Sequence, residues 1–294
     1  MRILQIDNLT KRYGKITAVD QLSLEVEAGM VYGILGPNGS GKTTTLGAIL
    51  GITKATEGSF RWFEGKYGDN PRLHIGALLE TPNFYPYLNA VDNLKLTAHI
   101  KKVKEPRIDG LLEMVNLLHR KHSKFSTYSL GMKQRLAIAA AMIGDPEVLI
   151  FDEPTNGLDP QGIAEVRQTL LEIAQTGKTI IMASHILYEV EKVCSHVAII
   201  KNGKLLAAGP VGAIIHDENI VEVAAEDLLA LEQLFSPMSA VHKVTRENGK
   251  LLLYTDESLT PGEINRLAHQ AGILLTHILT QHKSLEAEFL EITK

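Results

Sequence analysis

The sequence predicts an α/β fold: a parallel sheet with crossover helices, interrupted by a helical insertion and followed by a small α+β domain. Three observations carry this. MVYGIL, VLIFDEP and KTIIMASH are short apolar runs without polar alternation, the pattern of strands covered on both faces. A helical pattern separates VLIFDEP from KTIIMASH, and strand–helix–strand units of this length pair in parallel through right-handed crossovers. From about Asn219 short strands and helices follow one another in a different rhythm.

The elements follow in order. After MVYGIL comes a glycine-rich loop and a helical pattern ending at Gly51. Residues from about 90 to 144 are helical in pattern with no clear strand, and read as an inserted subdomain. After VLIFDEP, Asp159 is the expected N-cap of a helix with Pro160 in its first position. Ile163, Val166, Leu170 and Ile173 mark that helix's apolar face, and Gly177 ends it. HVAIIKNGKLLAAGP reads as a closing hairpin. Beyond it come a strand (IVEV), a leucine-rich helix, and a hairpin turning at Asn248-Gly249. Thr260-Pro261-Gly262-Glu263 predicts a capping box, with Ile264, Leu267, Ala268 and Ala271 as the apolar face of the next helix. The β-α-β-β-α-β order, closed by a final helix at LEAEFLEIT, predicts a ferredoxin-like domain.

With 294 residues, the chain is long enough for one large domain and one small one. Apolar residues at 45% and charged residues at 22% are ordinary for a globular protein. A net charge of −4 argues against an electrostatic grip on nucleic acid. The single cysteine, Cys194, excludes an intramolecular disulfide framework and suits a reducing compartment. The first residues, MRILQIDNLTKRYG, lack the apolar core of a signal peptide. No window reaches the roughly 18 apolar residues that cross a bilayer, so no direct membrane insertion is expected.

Gly36-Pro37-Asn38-Gly39-Ser40-Gly41-Lys42-Thr43 fits G-x-x-x-x-G-K-[ST] between a strand and a helix. Its glycines let backbone N–H groups turn toward phosphate oxygens at the positive end of the helix. Lys42 would reach the outer phosphates, and the Thr43 hydroxyl would hold magnesium. A glycine-rich turn that binds nothing lacks reason for both the lysine and the threonine. Asp152 and Glu153 close a buried strand at its carboxyl end, the edge where ligands sit in open α/β sheets. Asp152 suits the magnesium shell, and Glu153 suits the polarising of an attacking water. Standing alone, the two would read as a polar strand end; beside the phosphate loop they favour nucleotide hydrolysis.

No N-K-x-D guanine-reading element is present, and a small-molecule kinase stays open on the loop alone. His185, Asp159 and Tyr13 each have an ordinary structural explanation: a strand-end histidine, an N-cap and a packed aromatic. Taken together, their order and spacing resemble the ATP-binding cassette ATPases over roughly residues 2 to 215. The resemblance implies a P-loop NTPase (RecA-like) core with an antiparallel β subdomain and the inserted helical subdomain, within residues 1–215. Residues 216–294 would form the small C-terminal domain. It further implies that Tyr13 stacks on adenine and that Gly36 to Thr44, Thr44 included, wraps the phosphates of ATP. Asp152 and Glu153 would be the Mg2+ carboxylate and catalytic base, His185 the switch histidine, and Asp159 part of a loop crossing the dimer interface. The family works as a head-to-tail dimer, here a homodimer or a pairing with a second ATPase, with the phosphate loop of one subunit facing the signature sequence of the other.

Two stretches depart from the family's commonest pattern. Glu80 stands where a glutamine usually links magnesium to the membrane partner; it keeps an acceptor oxygen, loses the amide donors and adds charge. Phe84, Tyr85, Tyr87 and Leu88 follow, in a region with which the family grips a membrane subunit. Tyr128-Ser129-Leu130-Gly131-Met132 replaces the usual leucine-serine-glycine-glycine-glutamine signature. Ser129 and Gly131 survive, and Ser129 as a helix N-cap is compatible with meeting a partner's γ phosphate.

Long heptad runs, as in chromosome ATPases, are absent, and so is the paired-cassette arrangement of ribosome-associated factors. Transport is the expected function. ETPNFYPYL, YSLGMKQRLAIA and the appended C-terminal domain resemble exporter ATPases of the bacitracin-resistance and lantibiotic-immunity type. That resemblance implies a separate permease, a cytoplasmic chain held at the inner face of the cell membrane, and export of peptide antibiotics or other hydrophobic compounds. The alternative is a regulatory or envelope-machine ATPase outside transport.

Overall fold

A computed structural model describes residues 1–68, 70–214, 219–256, 259–282 and 285–293. Contacts divide the chain into two units, Met1–Val211 and Gly212–Ile292. The expected boundary at 215/216 lies outside the described residues.

The first unit opens with strands β1 (Arg2–Tyr13) and β2 (Ile16–Glu27), which with β4 (Glu57–Trp62) form a three-stranded antiparallel sheet in the order β2-β1-β4. The main sheet has six strands in the order β5-β6-β7-β3-β8-β9. They are β3 (Val31–Leu35), β5 (Ile75–Leu78), β6 (Val148–Asp152), β7 (Thr179–Ser184), β8 (His196–Lys201) and β9 (Lys204–Pro210). All neighbours pair in parallel except β8 and β9, the expected closing hairpin. Every residue of β3, β6 and β7 is buried, as unalternating apolar runs demand of a sheet covered on both faces.

Helix α1 (Lys42–Ile49) leaves the end of β3 through the glycine-rich loop. Between β5 and β6 lie α2 (Ala90–Ile100), α3 (Ile108–Met114) and α4 (Leu130–Met142), the expected helical insertion. A Cβ on Gly76 would fall 2.1 Å from the Ala141 carbonyl oxygen, so β5 and the end of α4 pack backbone to backbone. Helix α5 (Pro160–Gln175) is capped as expected: Asp159 Oδ1 accepts from the Gly162 N–H at 3.0 Å, with Pro160 in the first turn. Helix α6 (Leu187–Val193) follows β7, and α7 (Val211–Ile214) follows β9.

The second unit runs β10 (Asn219–Ala225), α8 (Leu228–Phe235), β11 (Val241–Glu247), β12 (Lys250–Thr255), α9 (Pro261–Gln270), β13 (Leu275–His282) and α10 (Leu285–Ile292). Its four strands are antiparallel in the order β11-β12-β10-β13, and β-α-β-β-α-β is the observed sequence of elements. Val221, Val223, Leu231, Phe235, Leu251, Leu253, Ile264 and Ala268 form its core. Asn248 and Gly249 both have positive φ, which sets the hairpin twist. Two local expectations are corrected. Ala271 is exposed, because α9 ends before it. The capping box is one-sided: Thr260 Oγ1 accepts from the Glu263 N–H at 3.3 Å, while the Glu263 carboxylate faces Arg266 at 3.8 Å.

Candidate nucleotide site

The loop from Gly36 to Gly41 is shaped by crowding on one side and an open surface on the other. A Cβ on Gly36 would meet the Ile200 carbonyl oxygen at 2.3 Å, and one on Gly41 the Ala18 carbonyl oxygen at 2.4 Å. Gly41 also has φ +107, a conformation closed to other residues, and it is the residue from which α1 starts. Cross-links hold the loop from behind: Gly203 N–H donates to Ser40 O at 2.8 Å, and Asp20 N–H to Gly203 O at 2.9 Å. The first N–H groups of α1 have no acceptor within the helix and carry its positive end. An anion in front of them meets the kind of cradle that binds phosphate.

Lys42 is almost fully buried, and its Nζ donates to the Gly36 carbonyl oxygen at 2.7 Å. The same Nζ lies 3.5 Å from Glu153 Oε1. Glu153 Oε2 sits 2.7 Å from His185 Nδ1 and accepts from the His185 backbone N–H at 3.3 Å. Glu153 adopts φ +49, a strained conformation for a residue without the freedom of glycine. Its N–H is anchored on the Ala183 carbonyl oxygen at 2.9 Å, so the end of β7 fixes the turn. Parallel pairing of β6, β7 and β3 therefore brings Lys42, Glu153 and His185, distant in sequence, to one sheet edge.

Asp152 is buried, and its Oδ1 has no hydrogen-bond partner. Burial pushes its carboxyl above the ordinary range; a hydrogen bond with Thr43 opposes this, while the charges of Glu153 and Glu80 add to it. An orphaned carboxylate oxygen, a threonine hydroxyl and a neighbouring glutamate form an all-oxygen donor set suited to a hard divalent cation. Among the described residues no group of three or more His, Cys, Asp or Glu gathers as a metal site. A cation held here would therefore complete its shell with phosphate oxygens and water, the usual habit of Mg2+.

Tyr13, Ala18, Asn38, Gly39, Gly41, Lys42, Thr43, Thr44 and Glu153 line one open pocket of about 330 Å³. Tyr13 is 48% exposed, with the Lys11 amine 4.7 Å from its ring centroid. Ser40 and Pro37 belong to the loop but do not line that pocket, and a larger cleft of about 780 Å³ near Arg107 and Lys178 contains none of these groups.

Ser129 and Gly131 are not in this pocket. They start α4, where Ser129 Oγ accepts from the Met132 N–H at 3.3 Å. Ser129 is exposed, Leu130 is 46% exposed, and a Cβ on Gly131 would lie 3.5 Å from Gly162 Cα. The signature stretch thus lies against the loop that carries Asp159. Glu80, exposed with φ +59, follows β5. The aromatic group after it divides: Phe84 packs edge-on to Phe125 at 5.2 Å, while Tyr85 and Tyr87 stand exposed side by side. Ala77, Thr81, Phe84, Thr97, Lys101 and Ala137 help line a small groove beside them.

Sequence reasoning passed over several charged groups. Lys101 donates to the Ala141 and Ile143 carbonyl oxygens, both at 3.1 Å. Arg135, Glu165, Arg167 and Glu189 form two ion pairs around α5. Arg135 did leave a signal, a charge set between YSLGMKQ and the apolar run that follows.

These groups define a P-loop nucleotide site with carboxylates at the sheet edge. The ABC transporter family profile matches residues 19–156. The bacitracin transport ATP-binding protein BcrA of Enterococcus faecalis is 36% identical over 99% of this chain and 96% of its own length. The lantibiotic transport ATP-binding protein SrtF of Streptococcus pyogenes is 41% identical over 69% of this chain and 89% of its own. A dimeric ATP-binding cassette in a post-hydrolysis state, bound to ADP and Pi, superposes with a TM-score of 0.63 at 26% identity, covering 71% of this chain and 98% of that one. The chain belongs to the ABC transporter ATP-binding proteins, and it is an ATPase that binds nucleotide. Among the described residues no helix is long and apolar enough to cross a membrane.

Proposed function

We propose that this chain powers an exporter of peptide antibiotics or related hydrophobic compounds, acting from the inner face of the cell membrane beneath a separate permease. The observation that carries this reading is the similarity to the bacitracin transport ATP-binding protein, which runs nearly end to end and includes the C-terminal unit. Residues 1–215 are the catalytic cassette in this reading, and 216–294 an accessory domain.

In the proposed cycle Lys42 and the N–H groups of Gly39 to Thr44 neutralise the β and γ phosphates, while Tyr13 supports the adenine. Bound Mg2+, held by Thr43 and Asp152 with Glu80 at its edge, would supply further neutralisation of phosphate charge. Glu153 takes the proton from the attacking water, and His185 fixes the carboxylate that does so. Ser129 and Gly131 face the nucleotide of a second cassette, a copy of this chain or a paired ATPase, so closure needs two subunits. Exposed Tyr85 and Tyr87, with the groove behind them, offer the permease an apolar grip.

Expression of the chain together with its permease in a bacitracin-sensitive host tests this reading. Raised resistance to bacitracin or a lantibiotic, lost in Glu153→Gln, is the expected result. Unchanged sensitivity to a panel of such peptides, with the complex assembled in the membrane, would refute the export assignment.

A further inference from the structure

Helix α5 is bridged on both flanks. Glu165 and Arg167 are two residues apart, which places them about 200° apart around the helix axis. Glu165 Oε2 pairs with Arg135 Nη2 of α4 at 2.9 Å. Arg167 Nη1 pairs with Glu189 Oε1 of α6 at 2.9 Å. Each bridge has one partner buried deeply: the Arg135 side chain is 7% exposed and the Glu189 side chain 6%.

Each buried partner keeps one polar atom without a hydrogen-bond partner. Arg135 also donates to the Val115 and Asn116 carbonyl oxygens at 2.8 and 3.1 Å, and its Nε has no partner. Glu189 Oε2 likewise has none. A charge in such a place depends on its single counter-ion, so the helices that supply the two charges cannot shift apart freely. The chain of contacts has chemistry at both ends. Ser129 caps helix α4, Asp159 caps α5, and α6 begins just beyond His185, with Glu189 in its first turn. Val166, Leu170 and Ile173 bury the face of α5 between its two charged flanks.

We infer that α5 is a strut: the pairs Arg135–Glu165 and Arg167–Glu189 hold His185 at the Glu153 carboxylate and tie that placement to the Ser129 end of α4. The inference rests on the proposed reading of Glu153 and His185 as the hydrolytic pair. Arg135, Glu165, Arg167 and Glu189 are positioning residues, since none of them lines the nucleotide pocket. A displacement at Ser129, where a second cassette would press, reaches His185 through two salt bridges and one helix. Nucleotide affinity, set by the loop from Gly36 to Thr44, stays outside this route.

The test uses the full-length chain, with kcat and KM for ATP, binding of a fluorescent ATP analogue, and thermal melting. Glu165→Leu removes the more exposed partner, 33% exposed, and leaves Arg135 on its two carbonyl acceptors, so its kcat is read at a temperature where melting shows it folded. Glu165→Gln keeps an acceptor for Arg135 and serves as the conservative rescue. Arg167→Met with Glu189→Gln removes both charges of the second pair, so no buried charge is stranded. Glu165→Leu and the double variant are expected to lower kcat by about 10- to 100-fold. Analogue binding should stay within twofold of the parent, and Glu165→Gln should recover most of the lost kcat. A parental kcat in either Glu165→Leu or the double variant would overturn the strut. So would a loss of kcat in Glu165→Leu that tracks a loss of analogue binding. Glu153→Gln run alongside separates the two readings: if it keeps full turnover, the assignment of the hydrolytic pair fails instead.

Discussion

His185 Nδ1 lies 2.7 Å from Glu153 Oε2, while the other oxygen of the same carboxylate faces Lys42 Nζ at 3.5 Å. One carboxylate thus joins the strand-end histidine to the lysine of the phosphate loop. In the proposed site, phosphate oxygens would compete with Glu153 for the lysine, because both are anions. In the proposed cycle, a nucleotide that draws Lys42 away would leave Oε1 available to a water, with Oε2 still held by His185.

Glu153→Gln should therefore abolish turnover by removing the proposed base while keeping the side-chain shape. The expected loss is about 10²- to 10⁴-fold in kcat. ATP should still bind and should hold two cassettes together, visible as a nucleotide-dependent dimer in size-exclusion chromatography with light scattering. A variant that hydrolyses at the parental rate would remove Glu153 from the role.

Glu80→Gln tests the departure at the end of β5. Glu80 lies close enough to raise the Asp152 carboxyl through its charge. Its removal should lower the local negative charge and restore an amide donor. ATP binding is expected to change by less than about threefold, since in the proposed site Lys42 and the loop carry most of the phosphate contact. Basal hydrolysis, or its stimulation by the permease, should change by more. Identical rates with and without permease in both proteins would reduce Glu80 to an ordinary loop residue.

Gly76→Ala probes the joint between the sheet and the inserted helices. The new Cβ would lie 2.1 Å from the Ala141 carbonyl oxygen and 2.8 Å from the Leu149 side chain. Backbone must shift, at a cost of about 1–3 kcal/mol in unfolding free energy. Urea denaturation of the two proteins measures it, and an unchanged midpoint would mean that β5 moves away from α4 without strain.

What the sequence made legible divides along physical lines. The unalternating runs at 31–35, 148–152 and 179–184 announced buried parallel strands, because burial on both faces leaves no polar register to read. The phosphate loop was legible because Gly41 and Lys42 are needed by local backbone geometry and charge. The convergence of Glu153 and His185 followed only from the family resemblance, since their meeting depends on strand order, which periodicity does not encode. The flanking pairs of α5 were not legible for the same reason: Arg135–Glu165 and Arg167–Glu189 join elements through tertiary packing. The reverse half of the capping box failed because Arg266, one turn from Glu263, competes for its carboxylate.

Three groups, partly buried Lys101 and buried Cys194 and Tyr32, titrate with different signs in alkaline solution. Burial holds the Lys101 amine down at about 8, against an ordinary 10.5. From about pH 8 upward the unfolded chain keeps a proton there that the folded chain has lost, so this group makes stability rise with pH. Below pH 8 both states are protonated and the folded state carries the full cost of the buried charge. Cys194 acts the other way. Burial raises its thiol above the ordinary 9.0, so the unfolded chain ionises first and stability falls as pH passes that value. Tyr32, pushed up to about 12 by burial, adds to the fall only above its ordinary 10.0. Lys101→Met removes the rising contribution and leaves the falling ones. The stability of the parent relative to Lys101→Met should therefore increase between pH 7 and pH 9.5, by on the order of 2 kcal/mol. Cys194→Ala should steepen the parent's own rise over the same interval. Urea denaturation at four pH values for the three proteins checks both, and a parent-minus-Lys101→Met difference independent of pH would show that the Lys101 amine is solvated in the folded chain.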